Sequence, residues 1–215
     1  GNDLAAALGV PAAPAAALDA LAGDDARAVD LLRVVGDDGR ARLAACLVAV
    51  GMDAAAMDVV DGARLLPRGR LLYTLAALRV ALAYRPPRVR VTVDGRVVHD
   101  GPAFFAAAAN TPTYAGGVRI APGARVDDGL LDVVVIPPLG SRLAQAAALG
   151  AVRRGEHGRL PGVVLARGRR VALEGEGLPV TVDGERTPLR APVEVEVVPG
   201  ALRALGGPRA LARAA

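Results

Sequence analysis

Val182-Asp183-Gly184-Glu185 ends an extended apolar run, residues 178–182, on a Gly-containing bend. A second acidic turn, Val126-Asp127-Asp128-Gly129-Leu130-Leu131-Asp132, leads into the apolar run 131–136. Carboxylates at such junctions are held at the mouth of a sheet and not in its core. Taken singly, an Asp-Gly beside a strand is most simply a hairpin tip. Outward from these turns the chain reads as short strands. Downstream lie 163–165, 170–174 and 193–198. Upstream, 88–93 and 96–99 flank the Asp94-Gly95 turn, 103–109 is a buried apolar run, and 28–35 and 42–50 are joined by Gly36-Asp37-Asp38-Gly39. Seven or more short strands with turns between them predict a β-sandwich, with helices inserted after the second and sixth strands.

The helical segments have their own signals. The opening residues read as a helix start, with Asn2 or Asp3 able to cap the amides of the 4–8 turn, and a second Ala-rich helix runs to about Leu21. Leucines at 71, 72, 75, 78 and 82 predict an amphipathic, core-facing helix that ends at Pro86-Pro87. Ser141 caps a helix running to about Arg153, and 201–215 carries a weak helical pattern. Gly51-Met52-Asp53-Ala54 reads as a structural turn after the second strand.

A chain of 215 residues with 53% hydrophobic content supports one large or two small cores. Every basic side chain is Arg, dispersed through an Ala-, Gly- and Pro-rich sequence, and the formal net charge is +4. Such a balance suits an anionic membrane surface. With 2% aromatic residues a base-stacking platform, and so a nucleic-acid partner, is not expected. Cys46 alone excludes an internal disulfide, and His99 and His157 are too few and too isolated for a zinc site. No uninterrupted apolar segment reaches spanning length, since 71–82 is broken by Thr74 and Arg79. The protein reads as soluble and cytoplasmic, with a place at the inner face of the membrane; nothing in the sequence fixes its oligomeric state.

The acidic turns keep company with Gly1-Asn2-Asp3-Leu4-Ala5, Asn110-Thr111-Pro112, Tyr114-Ala115-Gly116-Gly117 and Gly155-Glu156-His157. That ordered set resembles the lipid kinases of the diacylglycerol kinase family. The family has a nucleotide-binding domain with a GGDGT loop and a later GTxND segment, and a β-rich second domain with DDG and DGE turns. Gly1-Asn2-Asp3 looks like the tail of GTxND. The resemblance therefore covers the family's C-terminal two-thirds, a fragment without the GGDGT loop and inactive alone. It implies an α+β fold of the diacylglycerol kinase and NAD kinase-like type: residues 1–27 a remnant of the nucleotide-binding domain, 28–198 the β-rich lipid-binding and catalytic domain, and 199–215 a return to the first domain.

The same resemblance implies ATP and Mg2+ as cofactors and a set of site residues. Glu185 with Asp183 would be the general-base pair, two carboxylates one Gly apart that raise each other's proton affinity. Asp3 by motif and Asp30 by position would reach the nucleotide-bound magnesium, largely through water, while Asn2 would contact the nucleotide. Asp30 also stands out on its own, as an acid inside an apolar run. Residues 125–130 resemble a separate structural magnesium site, with Asp128 as side-chain ligand and Arg125 and Leu130 supplying carbonyls; Asp127 and Asp132 are alternatives by proximity. The implied activity is ATP-dependent phosphorylation of a lipid hydroxyl such as that of diacylglycerol. A sphingoid or ceramide-like lipid, or a nucleotide cofactor, is an alternative substrate. A non-catalytic lipid- or partner-binding sandwich is the non-enzymatic alternative, and it gives no reason for Asp3, Asp128, Asp183 and Glu185 to occur together.

Overall fold

The computed structural model describes residues 2–22, 26–62 and 70–206. Among these, twelve strands form two six-stranded antiparallel sheets. The first has the order β2-β1-β12-β9-β4-β5 and the second β11-β10-β3-β6-β7-β8. In chain order the strands of the first half are β1 (Ala26–Gly36), β2 (Ala41–Ala44), β3 (Leu47–Gly51), β4 (Arg88–Val93), β5 (Arg96–Pro102) and β6 (Phe105–Ala109). Those of the second half are β7 (Leu131–Ile136), β8 (Val164–Gly168), β9 (Arg170–Glu174), β10 (Pro179–Val182), β11 (Glu185–Arg190) and β12 (Val193–Leu205). The helices are α1 (Asp3–Ala7), α2 (Pro14–Leu21), α3 (Met52–Gly62), α4 (Arg70–Ala83) and α5 (Arg142–Arg154).

The two sheets differ because their faces do. In β4, β9 and β12 apolar residues alternate with polar ones: Val89, Val91, Val93, Val171, Leu173, Val193, Val195 and Val197 point into the sandwich, and the other face is wet. In β3, β6 and β7 nearly every residue is buried. One face of that sheet (Val48, Val50, Ala106, Ala108, Val133, Val135) completes the sandwich core. The other (Leu47, Ala49, Phe105, Ala107, Ala109, Val134) packs beneath Val80 and Ala81 of α4 and Ile120, Ala121 and Ala124 of the 111–129 loop. A sheet covered on both faces has no need of alternation, so its strands read as continuous apolar runs.

Both predicted two-residue and four-residue hairpins form, β4–β5 through Asp94-Gly95 and β1–β2 through 37–40. Ser141 caps α5, its hydroxyl accepting from the Ala144 amide at 3.1 Å. Five expectations need correction. The single strand 42–50 is two strands: β2 pairs with β1 in the first sheet, β3 pairs with β6 and β10 in the second, and the chain changes sheet at Ala45-Cys46. Met52 opens α3 and not merely a turn; Gly51 before it has φ +106, and a Cβ there would lie 2.6 Å from the Phe104 carbonyl oxygen, so glycine alone fits. The strand ending at 198 resumes, and 201–205 are strand in place of helix, held along β1 as far as Ala26↔Leu205; the rest of that segment, from 207, lies outside the described residues. Neither Asn2 nor Asp3 caps α1 with its side chain, because Asp3 bonds elsewhere. Finally α4 does not turn Leu75, Leu78 and Leu82 inward: they are 53%, 40% and 39% exposed, and Val80 and Ala81 are buried; the side chains of Leu71 and Leu72 lie outside the described residues.

One strand was not foreseen at all. β11 contains Pro188, which lacks an amide hydrogen and is tolerated because β11 is the outer strand of its sheet. No described helix is long and apolar enough to cross a membrane.

Candidate functional site

The Asp183-Gly184 pair is the two-residue turn of the β10–β11 hairpin, with φ of +52° and +75° and Val182 opposite Glu185. Asp tolerates the left-handed region because its short side chain bonds locally, and Gly pays no steric penalty there. The Asp183 carboxylate does more than close a turn. Its Oδ2 accepts the Ala45 amide at 2.8 Å, and its Oδ1 accepts those of Cys46 at 2.8 Å and Leu47 at 2.9 Å. The backbone between β2 and β3, which has left one sheet and not yet joined the next, therefore finds its acceptors on one side chain. Glu185, two residues on, is exposed, and its carboxylate makes no hydrogen bond or ion pair among the described residues. Arg186 beside it pairs with Asp58 of α3.

Asp3 of α1 is buried and lies over the same end of the second sheet. Its two oxygens accept the Gly116 and Gly117 amides at 3.0 and 3.1 Å, docking α1 onto the Tyr114-Ala115-Gly116-Gly117 loop. Cys46 sits between the two acidic elements. Burial, then the negative charges of Asp183 and Asp3, push its thiol up to about 11, which favours the protonated form at neutral pH. Tyr114 is raised well above the usual phenol range by burial and by the charges of Asp53 and Asp3. Asp53 is raised by burial, opposed by the Thr181 hydroxyl that donates to it at 2.7 Å. Asp3, Asp183, Cys46, Tyr114 and Asp53 thus share one electrostatic neighbourhood. Asn2 is exposed beside it.

Asp30 faces another way. It is 3% exposed and stands at an irregularity where Val29 pairs with Leu202 but Leu31 with Val198. Its Oδ2 accepts the Gly129 amide at 2.7 Å and its Oδ1 the Gly200 amide at 2.8 Å, while its own amide donates to the Val126 carbonyl at 2.7 Å. An acid inside an apolar strand is thereby paired, and the acidic turn 126–129 is pinned to β1. Asn110, fully buried at the end of β6, links this region to the first: its side-chain amide donates to the Asp30 carbonyl at 2.8 Å and to that of Ala45 at 3.0 Å.

The third group lies around Arg167 of β8. Its guanidinium pairs with Asp128 and, through Nε at 3.2 Å, with Asp132, its partner in the β7–β8 register. Asp128 also accepts the Leu130 amide at 3.1 Å, and Arg125 turns outward to Asp127 at 3.3 Å. Asp132 is raised by burial, against the opposing pull of Arg167.

The residues fit the two implied magnesium ions differently. Asp3 and Asp30 each accept one backbone bond per oxygen, and a carboxylate has further lone pairs, so a contact to a cation through water is compatible with them. At the 125–130 turn one Asp128 oxygen accepts the Leu130 amide and the other meets the Arg167 guanidinium, so a cation approaching that carboxylate meets a positive charge already seated on it. A divalent ion does not fit there while Arg167 is in place.

Sequence reasoning did not single out Asn110, Asp53, Thr181 or Arg167 as site residues. Asn110 had a signal, a polar residue closing the run Phe105-Ala106-Ala107-Ala108-Ala109. Arg167 had none, being one Arg among many. Gly155 caps the C-terminus of α5 in the left-handed conformation, and His157 beyond it is buried, its pKa lowered by that burial.

Two face-packed antiparallel sheets, with the Asp183-Gly184 turn and the acidic turn before β7 at the same end of the second sheet's strands, define a two-sheet β-sandwich of NAD kinase-like type. The sequence profile of the YegS C-terminal NAD kinase beta sandwich-like domain matches residues 46–206, and the chain belongs to that family. Among curated relatives, a diacylglycerol kinase of Mycobacterium tuberculosis is 32% identical over 207 residues, 95% of this chain and 66% of its own length. A probable lipid kinase YegS-like of Pseudomonas aeruginosa is 33% identical over 203 residues, 94% of this chain and 64% of its own length. The chain thus spans about two thirds of the relatives it matches. A crystal structure of a putative diacylglycerol kinase from Bacillus anthracis superposes with a TM-score of 0.75, covering 96% of this chain and 65% of that one at 21% identity, a likeness of fold.

Proposed function

We propose that the chain is the lipid-binding and proton-accepting part of an ATP-dependent lipid kinase, acting on the hydroxyl of a lipid such as diacylglycerol. The named kinases among its relatives support the class. The observation that carries the chemistry is the division of labour at the Asp183-Gly184-Glu185 turn. Both oxygens of Asp183 are already committed to backbone amides, so Asp183 is a positioning residue. Glu185 has no such tie and projects from the turn that Asp183 fixes, where it accepts the proton of the attacking hydroxyl. Bound ATP and its magnesium supply the phosphoryl group and neutralise its charge. Asp3, with Asn2 exposed at its side, would hold the magnesium through water, and Asp30 holds the 126–129 turn. The lipid reaches the site from an anionic membrane surface, against which α4 lays Leu75, Leu78 and Leu82 beside exposed Arg79 and Arg85, with no acidic residue in the helix.

The test is a phosphoryl-transfer assay with diacylglycerol, on the chain joined to the nucleotide-binding half that the resemblance implies. Glu185→Gln should lower kcat by roughly 10²–10⁴ and leave ATP binding intact. Near-normal turnover in that variant would reduce the turn to a hairpin tip.

A further inference from the structure

The 126–129 turn poses a question that does not depend on the kinase reading: what holds it, if not a metal. A divalent ion on such a turn does two things. It neutralises the carboxylate, and it gathers flanking backbone groups into one geometry. Both are already done by this chain's own side chains. Arg167 is set directly across from Asp132 by the β7–β8 register, and its guanidinium bridges Asp132 and Asp128. The backbone is gathered by Asp30, whose carboxylate takes the Gly129 amide and whose amide gives to the Val126 carbonyl. The planar fork of Arg suits two carboxylates at once, which a point charge on a flexible stem does not.

We infer that the Arg167 guanidinium stands in for a structural divalent cation, so that the acidic turn of this chain is ordered without metal. The side chains of Asp128 and Asp132 are 19% and 15% exposed against 44% for Arg167, so the carboxylates are the sheltered partners and the cation closes over them from solvent. The pairing is then worth more than that of two exposed groups, and removing the guanidinium leaves two half-sheltered negative charges facing each other.

Thermal melting of the 215-residue chain tests this, in EDTA and in magnesium chloride matched for ionic strength with potassium chloride. The wild type should melt at the same temperature in both. Arg167→Met and Asp128→Asn should each lower the melting temperature by about 2–4 °C, and the double variant should lose clearly less than the sum, because both remove the same pair. Arg167→Lys should retain part of the coupling to Asp128, which keeps the test open if Arg167→Met does not fold. A magnesium-dependent rise in the wild type that Asp128→Asn abolishes would overturn the inference, as would strictly additive losses.

Discussion

At the scale of single residues, one environment makes Asp183 a fastener and leaves Glu185 free, although one glycine separates them. Asp183→Asn keeps the shape but removes the charge and one of the two oxygens that hold the Ala45–Leu47 amides. It should therefore lower the melting temperature, while Glu185→Gln, on an exposed side chain, should leave it within about 1 °C. A melting loss confined to Glu185→Gln would reverse the two roles. Asp53 gives a pH test. Its folded-state pKa is raised, so its protonated form favours folding: that contribution is complete below the ordinary carboxylate range and is lost as pH rises through the raised value. Asp53→Asn mimics the protonated state and keeps an acceptor for Thr181. It should stabilise the chain at neutral pH, with a gain that disappears under acid; equal melting curves at pH 7 would count against the buried-acid reading.

At the scale of elements, Asp30 decides how β1 meets β12 and the acidic turn. Asp30→Ala leaves the Gly129 and Gly200 amides without acceptors, at about 1–3 kcal/mol each, so urea unfolding should show a loss of several kcal/mol. Asp30→Asn keeps one oxygen and should lose less; a loss below about 1 kcal/mol for Asp30→Ala would mean that water replaces the carboxylate. The hairpins at Asp94-Gly95 and 36–39, the capped α5 and the runs of β6 and β7 were legible because periodicity and turn chemistry are local. The change of sheet at Ala45-Cys46 was not, since nothing local breaks the run 42–50 and the acceptors that permit the break come from residue 183. The Pro188 of β11 and the Pro199-Gly200 of β12 read as stops, yet one lies on an outer strand and the other in an irregularity closed by Asp30. Of the site, the acidic residues were visible as motifs, while the partners that sort them into fasteners and free groups come from distant parts of the chain.

At the scale of the whole molecule, the Leu75, Leu78 and Leu82 stripe stands outside both cores, so changing it should cost binding and not stability. Leu78→Glu should weaken co-sedimentation with vesicles containing anionic phospholipid by several-fold, with the melting temperature nearly unchanged. Equal sedimentation would move the lipid-facing surface elsewhere. The long pairing of β1 with β12 also has a consequence for how the protein is made. β1 finds that neighbour only when β12 arrives, some 160 residues later at the Gly36↔Val193 end, which at about 5–20 residues per second is roughly 8–30 s of ribosome time. During that interval β1 and its hairpin partner β2 present an unfilled, apolar edge. The first sheet is thus the last to close, and the nascent chain, more than the finished one, is the form that chaperones must shield from its neighbours on a polysome.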